Sequence, residues 1–225
     1  MIKLERTETY GWEAAVRGMR NPLNSWDKSD SHYCYDLTPN TCNLESDNVY
    51  HTEKFFIGGN DLTLMQKLAT SGNDHGKFLR MITVTVDVTA PLYWWKEFDT
   101  YKIGTVANSC STMHKIQDKE FTMADFSMEY IGIVPNSDPV YYNTLETVIY
   151  ALNEARRCYL DTKDKAYWWQ MIQLLPSSYN QKRTVQLNYA VLRNIYHSRK
   201  NHKLDEWQEF CQWIERLRYS TLITM

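Results

Sequence analysis

The sequence is short of several things, and each shortage excludes a class of protein. No run of about 18 apolar residues is present, so no segment reads as a transmembrane helix. The stretch from Met1 to Arg20 lacks the apolar core of roughly 7–15 residues that a secretory signal carries, so no signal peptide is expected. Excess charge of one sign is missing too. With 25 basic and 27 acidic residues the formal net charge is −2, and no long-range field points to nucleic acid or an anionic membrane. The cysteines, at 34, 42, 110, 158 and 211, offer no second close pair beside Cys34 and Cys42, which excludes a zinc site of the paired kind; no metal is expected. Their odd number and scatter read as reduced thiols in a cytoplasmic protein, with a Cys34–Cys42 disulfide as the alternative. Glycine is scarce, and neither an internal repeat nor a low-complexity tract is visible.

Aromatic residues are abundant: 8 Trp, 16 Tyr and 7 Phe. Such rings serve thick cores, subunit interfaces or stacking pockets for flat ligands, and composition does not choose among these. At 225 residues the chain is long enough for a substantial core and is expected to form a single domain over residues 1–225.

The most informative stretch runs from Lys77 to Ile116. Ile82, Val84, Val86 and Val88 alternate with Thr83, Thr85, Asp87 and Thr89, the period of two of a half-buried strand. Ala90-Pro91 ends it, since proline has no ladder donor but suits the first turn of a helix. Tyr93, Trp94, Trp95 and Phe98 follow at helical spacing, which favours core or interface over stacking on a flat ring. A hydroxyl- and amide-rich loop around Asn108-Ser109-Cys110-Ser111 then offers donors and acceptors for a ligand, or for its own turn. Cys110 reads as a nucleophile or as a buried inert thiol, and the lack of a fixed cationic partner favours the second. His114 reads as a general base or as a surface histidine.

Elsewhere the pattern predicts a strand and a helix within residues 1–20, ended by Asn21-Pro22. Asn21 to Asn48 reads as a polar surface excursion, either a packed loop or a lid. A helix after Gly58-Gly59 is expected to be capped by Asn60 or Asp61. A short extended segment is expected around Ile131–Pro135, followed by helices over Leu145–Leu160, Ala166–Leu175, Arg183–Lys200 and Leu204–Leu217. Strands concentrate in the first half and helices in the second. The expected fold class is therefore α+β, a mostly antiparallel central sheet packed against a helical half.

The order of these segments resembles the flavin-dependent thymidylate synthase family, also called thymidylate synthase complementing proteins, over roughly residues 55–215. That family has a strand, a helix and a signature of the form Arg-His-Arg-x-x-Ser-x-Asn-Glu-x-Ser-x-Arg-Tyr. Here the strand Ile82–Thr89 leads through Pro91 to Thr100-Tyr101-Lys102-Ile103-Gly104-Thr105-Val106-Ala107-Asn108-Ser109-Cys110-Ser111. Thr105 stands at the first serine and Ser111 at the second, with one residue inserted before Asn108. Leu174-Leu175-Pro176 matches a later Leu-Pro segment, Asn188 and Arg199 match the ends of a further helix, and Asp205–Glu209 matches the last.

The resemblance implies dUMP methylation to dTMP with methylenetetrahydrofolate as carbon donor, FAD as redox cofactor and NADPH as reductant. It also implies a nucleotide-like small-molecule partner and a homo-oligomer of four copies. Site roles carry over by position. Thr105 and Ser111 would be catalytic; Thr100, Tyr101, Lys102 and Asn188 would bind the cofactor. Lys96, Glu97, Asn108, Ser109 and Arg199 would bind the substrate. The departures are equally specific. Thr100, Tyr101 and Lys102 replace the Arg-His-Arg group, and Met113 or its neighbourhood, Ile172 and Ala190 stand where later arginines hold phosphate. Isoleucine and alanine offer none of the forked donors of arginine. Lys96, Lys102, Lys115 and Arg199 remain as candidate anion partners. A non-catalytic relative of the same fold, binding a different nucleotide-like ligand or a protein partner, is the alternative.

Overall fold

The computed structural model describes residues 2–34, 49–50, 54–131 and 139–225. The first half contains strand β1 (Lys3–Tyr10), helix α1 (Trp12–Arg20), strands β2 (His32–Tyr33), β3 (Val49–Tyr50) and β4 (Phe55–Phe56), and helix α2 (Gly59–Thr70). Strand β5 (Thr83–Pro91), helix α3 (Leu92–Phe98), strand β6 (Val106–Ser109) and helix α4 (Thr112–Lys115) follow. The second half holds α5 (Val140–Thr162), α6 (Lys165–Leu174), strand β7 (Asn180–Asn188), α7 (Tyr189–Arg199), α8 (Asp205–Glu215) and α9 (Thr221–Thr224).

One sheet takes the order β3-β1-β5-β7-β6, and β2 pairs with β4 in an antiparallel ribbon. The main sheet is mostly antiparallel, as the sequence led us to expect, and the fold is α+β. Its β1–β3 pair is parallel, with Thr7 opposite Val49. Two compact units are present, one of Met1–Lys3, Thr89–Thr100 and Asn108–Arg183, the other of Leu4–Val88, Tyr101–Ala107 and Thr184–Met225. Among the described residues no helix is long and apolar enough to cross a membrane.

In the larger unit, Ile82, Val84, Val86 and Val88 are fully buried, as their alternation requires. Asp87 is the exception on the polar face. It is buried, accepts from Thr184 Oγ1 at 2.7 Å and faces Arg6 at 3.8 Å. Trp12, Tyr189, Trp207 and Phe210 complete this core. A buried ion pair braces its edge: Arg20 Nε donates to Asp61 Oδ1 at 2.6 Å, while the hydroxyls of Ser29 and Ser31 donate to Oδ2. Asp61 therefore does not cap α2. Asp30 does so from outside, accepting from the N–H groups of Asn60 and Asp61 at 2.9 and 3.0 Å. These bonds tie residues 29–31 of the expected excursion to α2, while residues 21–34 as a whole are exposed or half-buried, and 35–48 lie outside the described residues.

Cys34 is disulfide-bonded, which corrects the expectation of reduced thiols at that position; Cys42 lies outside the described residues. Cys110, Cys158 and Cys211 are free.

In the smaller unit, Leu152 of α5 and Met171 of α6 are buried in one cluster with Ile116, Phe121 and Phe126. Trp94, Trp95 and Phe98 of α3 are buried against one another at 4.9 to 5.3 Å between ring centres, so these rings are core rather than a stacking surface. The expected extended segment after Ile131 falls on 132–138, outside the described residues. One helix needs correction. Arg183–Lys200 was expected to be continuous, but β7 occupies Asn180–Asn188 and α7 begins at Tyr189. Gln181, Val185 and Leu187 are buried while Thr184 and Gln186 are exposed, a period of two that outweighs the helical spacing of Val185, Leu192 and Ile195. Asn188 marks the junction, its Oδ1 accepting from Val191 N at 3.0 Å as a helix cap.

Candidate functional site

The smaller unit carries a cleft of about 520 Å3. One wall is the turn that leaves β6: Cys110, Ser111 and Thr112, with Lys115 one turn along α4. A second wall holds Lys119 and Asp125, and the third is the start of β7, from Tyr179 to Lys182. Backbone bonds fix the first wall to the third. Cys110 N donates to the Lys182 carbonyl at 2.9 Å, and Gln181 Nε2 donates to the Cys110 carbonyl at 3.0 Å. Gln181 is itself oriented, because its Oε1 accepts from Arg183 Nε at 3.0 Å. Arg183 in turn pairs with Asp99 at 2.7 Å and lies 4.1 Å over the Trp95 ring.

Ser111 accepts from His114 N at 3.0 Å, so its hydroxyl proton is directed to other acceptors. Burial works against ionisation of Asp125, but bonds from Lys119 and Thr122 outweigh it and hold the carboxyl below its ordinary value. The same bond to Asp125 raises Lys119. Burial pushes the Tyr179 phenol up, which keeps it a hydroxyl donor. The cleft therefore presents three ammonium groups, hydroxyls and amides beside the carboxylates of Asp118 and Asp125, a lining with one more cation than anion and with donors that suit an oxygen-rich anion.

Of the site residues expected from sequence, Ser111 lines this cleft. Asn108 and Ser109 lie on the exposed edge strand β6 rather than in a loop. Thr100 donates its hydroxyl to the Glu97 carbonyl at 2.8 Å, a helix-end bond, and Lys96 is exposed. Cys110 is exposed, not buried as its inert reading required. His114 is exposed, on the surface. Ile172 packs against the hydrophobic core of its unit, where it faces apolar neighbours.

In the larger unit, Tyr101, Lys102 and Thr105 lie in the loop before β6, Asn188 caps α7 and Arg199 ends it. Arg199 Nε donates to the Tyr101 hydroxyl at 2.9 Å, and its guanidinium lies 4.9 Å from the Trp207 ring centre. Gly104 has φ +77, and a Cβ there would come within 2.8 Å of the Asn188 amide, so the loop needs glycine to lie against the helix start. Lys102 is exposed, and the Thr105 hydroxyl oxygen is buried with no hydrogen-bond partner among the described residues.

Sequence reasoning missed Lys119, Asp125, Tyr179, Gln181 and Lys182. A signal existed for the β7 group, since Thr184-Val185-Gln186-Leu187 alternates, and an outward Lys182 follows from that register. Lys119 and Asp125 carried none, because a turn brings them to the cleft.

No protein-family model matches this sequence, and no curated protein matches it. Solved structures do match in fold. The flavin-dependent thymidylate synthase ThyX from Helicobacter pylori, complexed with FAD and dUMP, is similar with a TM-score of 0.65 at 14% identity, covering 98% of this chain and 97% of that one. A second structure of ThyX from that organism with FAD and dUMP gives 0.65 at 13% identity over 100% and 97%. The UMP/dUMP methylase PolB from Streptomyces cacaoi, bound with 5-Br UMP, gives 0.61 at 14% identity over 98% and 92%. From end to end, the chain has the fold of the flavin-dependent thymidylate synthases and of this related methylase.

Proposed function

We propose that this protein binds a uridine-type nucleotide 5′-monophosphate in the cleft beside Ser111. The observation that carries the proposal is the shared fold over nearly the whole chain with proteins whose structures hold dUMP or 5-Br UMP. The polar lining of the cleft supports it, and its volume lies within the roughly 300–1,000 Å3 typical of small-molecule sites.

Two readings follow from nucleotide binding. In the first, the protein methylates dUMP, with methylenetetrahydrofolate as carbon donor and NADPH as reductant; the FAD in the Helicobacter pylori structures favours it. FAD would supply the redox chemistry. The residues at the expected flavin positions do not fit that group well. Thr100 is bonded to its own helix and Tyr101 to Arg199, which leaves Lys102 as the charged group there. In the second reading, favoured by those engaged side chains, the protein is a non-catalytic relative that binds the nucleotide alone.

Equilibrium dialysis with dUMP tests the shared claim, and a visible spectrum after incubation with FAD separates the readings. Bound oxidised flavin absorbs near about 450 nm. Uptake of FAD supports the methylase; a colourless protein that still retains dUMP supports the binder. Assembly as a homotetramer belongs to the same proposal and is supported by exposed Tyr141, Tyr150 and Trp169 on α5 and α6. Light scattering on the purified protein checks it, and a monomer would contradict it.

A further inference from the structure

We infer that Lys119 and Lys182 are the phosphate-binding cations of the cleft, and that Asp125 holds Lys119 in waiting beside it. This rests on the proposed nucleotide binding and assigns the part of the ligand that the two lysines recognise. Lys182 is half-buried in the third wall, in the register fixed by the bond from Cys110 N to its carbonyl. Lys182 and Ser111 line the same cavity, where a phosphate would meet both residues.

Lys119 comes from the opposite wall and pairs with Asp125. That carboxylate stays in place without the lysine, because Thr122 holds its other oxygen through N–H and hydroxyl bonds at 2.9 and 3.1 Å. The two partners differ in freedom: the Lys119 side chain is 67% exposed and Asp125 is 12% exposed. Lys119 is thus the mobile member, able to exchange a carboxylate for a phosphate without disturbing the turn. Lys115 lines the same cleft, but its i,i+3 partner at 2.9 Å, Asp118, is 50% exposed, whereas Asp125 is nearly buried and held by Thr122. Around the cavity, Asn180 turns its carbonyl oxygen to the Ser127 hydroxyl at 2.9 Å, which directs its amide donors the other way.

The experiment is a calorimetric titration of the full chain with dUMP, deoxyuridine and inorganic phosphate. It compares the wild type with Lys119→Met, Lys182→Met, Lys119→Arg and Asp125→Asn. Each methionine variant is expected to weaken dUMP about tenfold or more, to leave deoxyuridine unchanged, and to flatten the salt dependence. Lys119→Arg should restore most of the loss. Asp125→Asn should tighten dUMP, because it removes a competing anion and releases Lys119; a structural ion pair would give the opposite sign. If dUMP binds and neither methionine variant weakens it, the assignment of the lysines is overturned while nucleotide binding stands. If dUMP does not bind but inorganic phosphate does, with dependence on both lysines, nucleotide binding falls and the lysine site stands. Absence of binding for both anions overturns the two together.

Discussion

Tyr101 and Arg199, two residues expected to hold different ligands, hold each other. The guanidinium donates to the phenol at 2.9 Å and lies over the Trp207 ring, so the loop before β6 is tied to the end of α7. Removing the bond with Tyr101→Phe should cost about 1 kcal/mol, and Arg199→Met about 2 kcal/mol. The double variant should fall short of the sum by about 1 kcal/mol in urea denaturation. Strict additivity would show that the pair does not interact in solution.

Acid stability is set in part by Asp61. Burial alone would raise its carboxyl, but bonds from Ser29, Ser31 and Arg20 outweigh burial and hold it below the ordinary 3.8. A depressed carboxyl contributes stability that is present above the unfolded value and is lost as pH falls through the folded one. Stability should therefore decline from about pH 4 downward in the wild type. Asp61→Asn should be less stable by about 3–5 kcal/mol at neutral pH, since it leaves Arg20 buried without its counter-ion. Its acid decline should also be shallower. Guanidinium melts across pH 3–7 would show both effects.

Thiol chemistry separates the free cysteines. Cys110 is exposed in the cleft wall, while burial, with a smaller push from Glu215, raises the Cys211 thiol to about 11. A disulfide reagent at pH 8 should modify Cys110 rapidly, the half-buried Cys158 more slowly and Cys211 only on unfolding. Cys110→Ser should abolish the fast phase, and dUMP should slow it in the wild type. A fast phase that persists in the serine variant would contradict the assignment.

Gln181 should act through the Cys110 carbonyl. Replacing it with leucine leaves that carbonyl and the Arg183 Nε each short of a partner, at a cost of about 1–3 kcal/mol. Nucleotide affinity should fall with stability in Gln181→Leu, and Gln181→Glu should recover the bond to Arg183 but not the one to Cys110. Equal behaviour of the two variants would argue against the relay.

Much of the fold was legible because it rests on short-range pattern. The alternation from Ile82 to Thr89 and the helical stripes of α5 and α8 reflect burial on one face, which sequence records directly. The junction at Asn188 was misread because Val185, Leu192 and Ile195 mimic a helical line across a strand and a helix. The site was less legible. Ser111 was found through its motif position. Lys119, Asp125 and Lys182 come together only through the turn at Thr122–Phe126 and the pairing at Cys110, which no local pattern encodes. Asp30 capping α2 from a separate loop is the same kind of long-range fact.

The central claim is that the cleft beside Ser111 binds a uridine-type nucleotide through its phosphate. Calorimetric titration of the purified protein with dUMP and with deoxyuridine tests it most directly. The account predicts saturable binding of dUMP and binding of deoxyuridine at least about tenfold weaker, a difference of about 1.4 kcal/mol. No heat of binding with dUMP, or equal affinity for the two ligands, would contradict it.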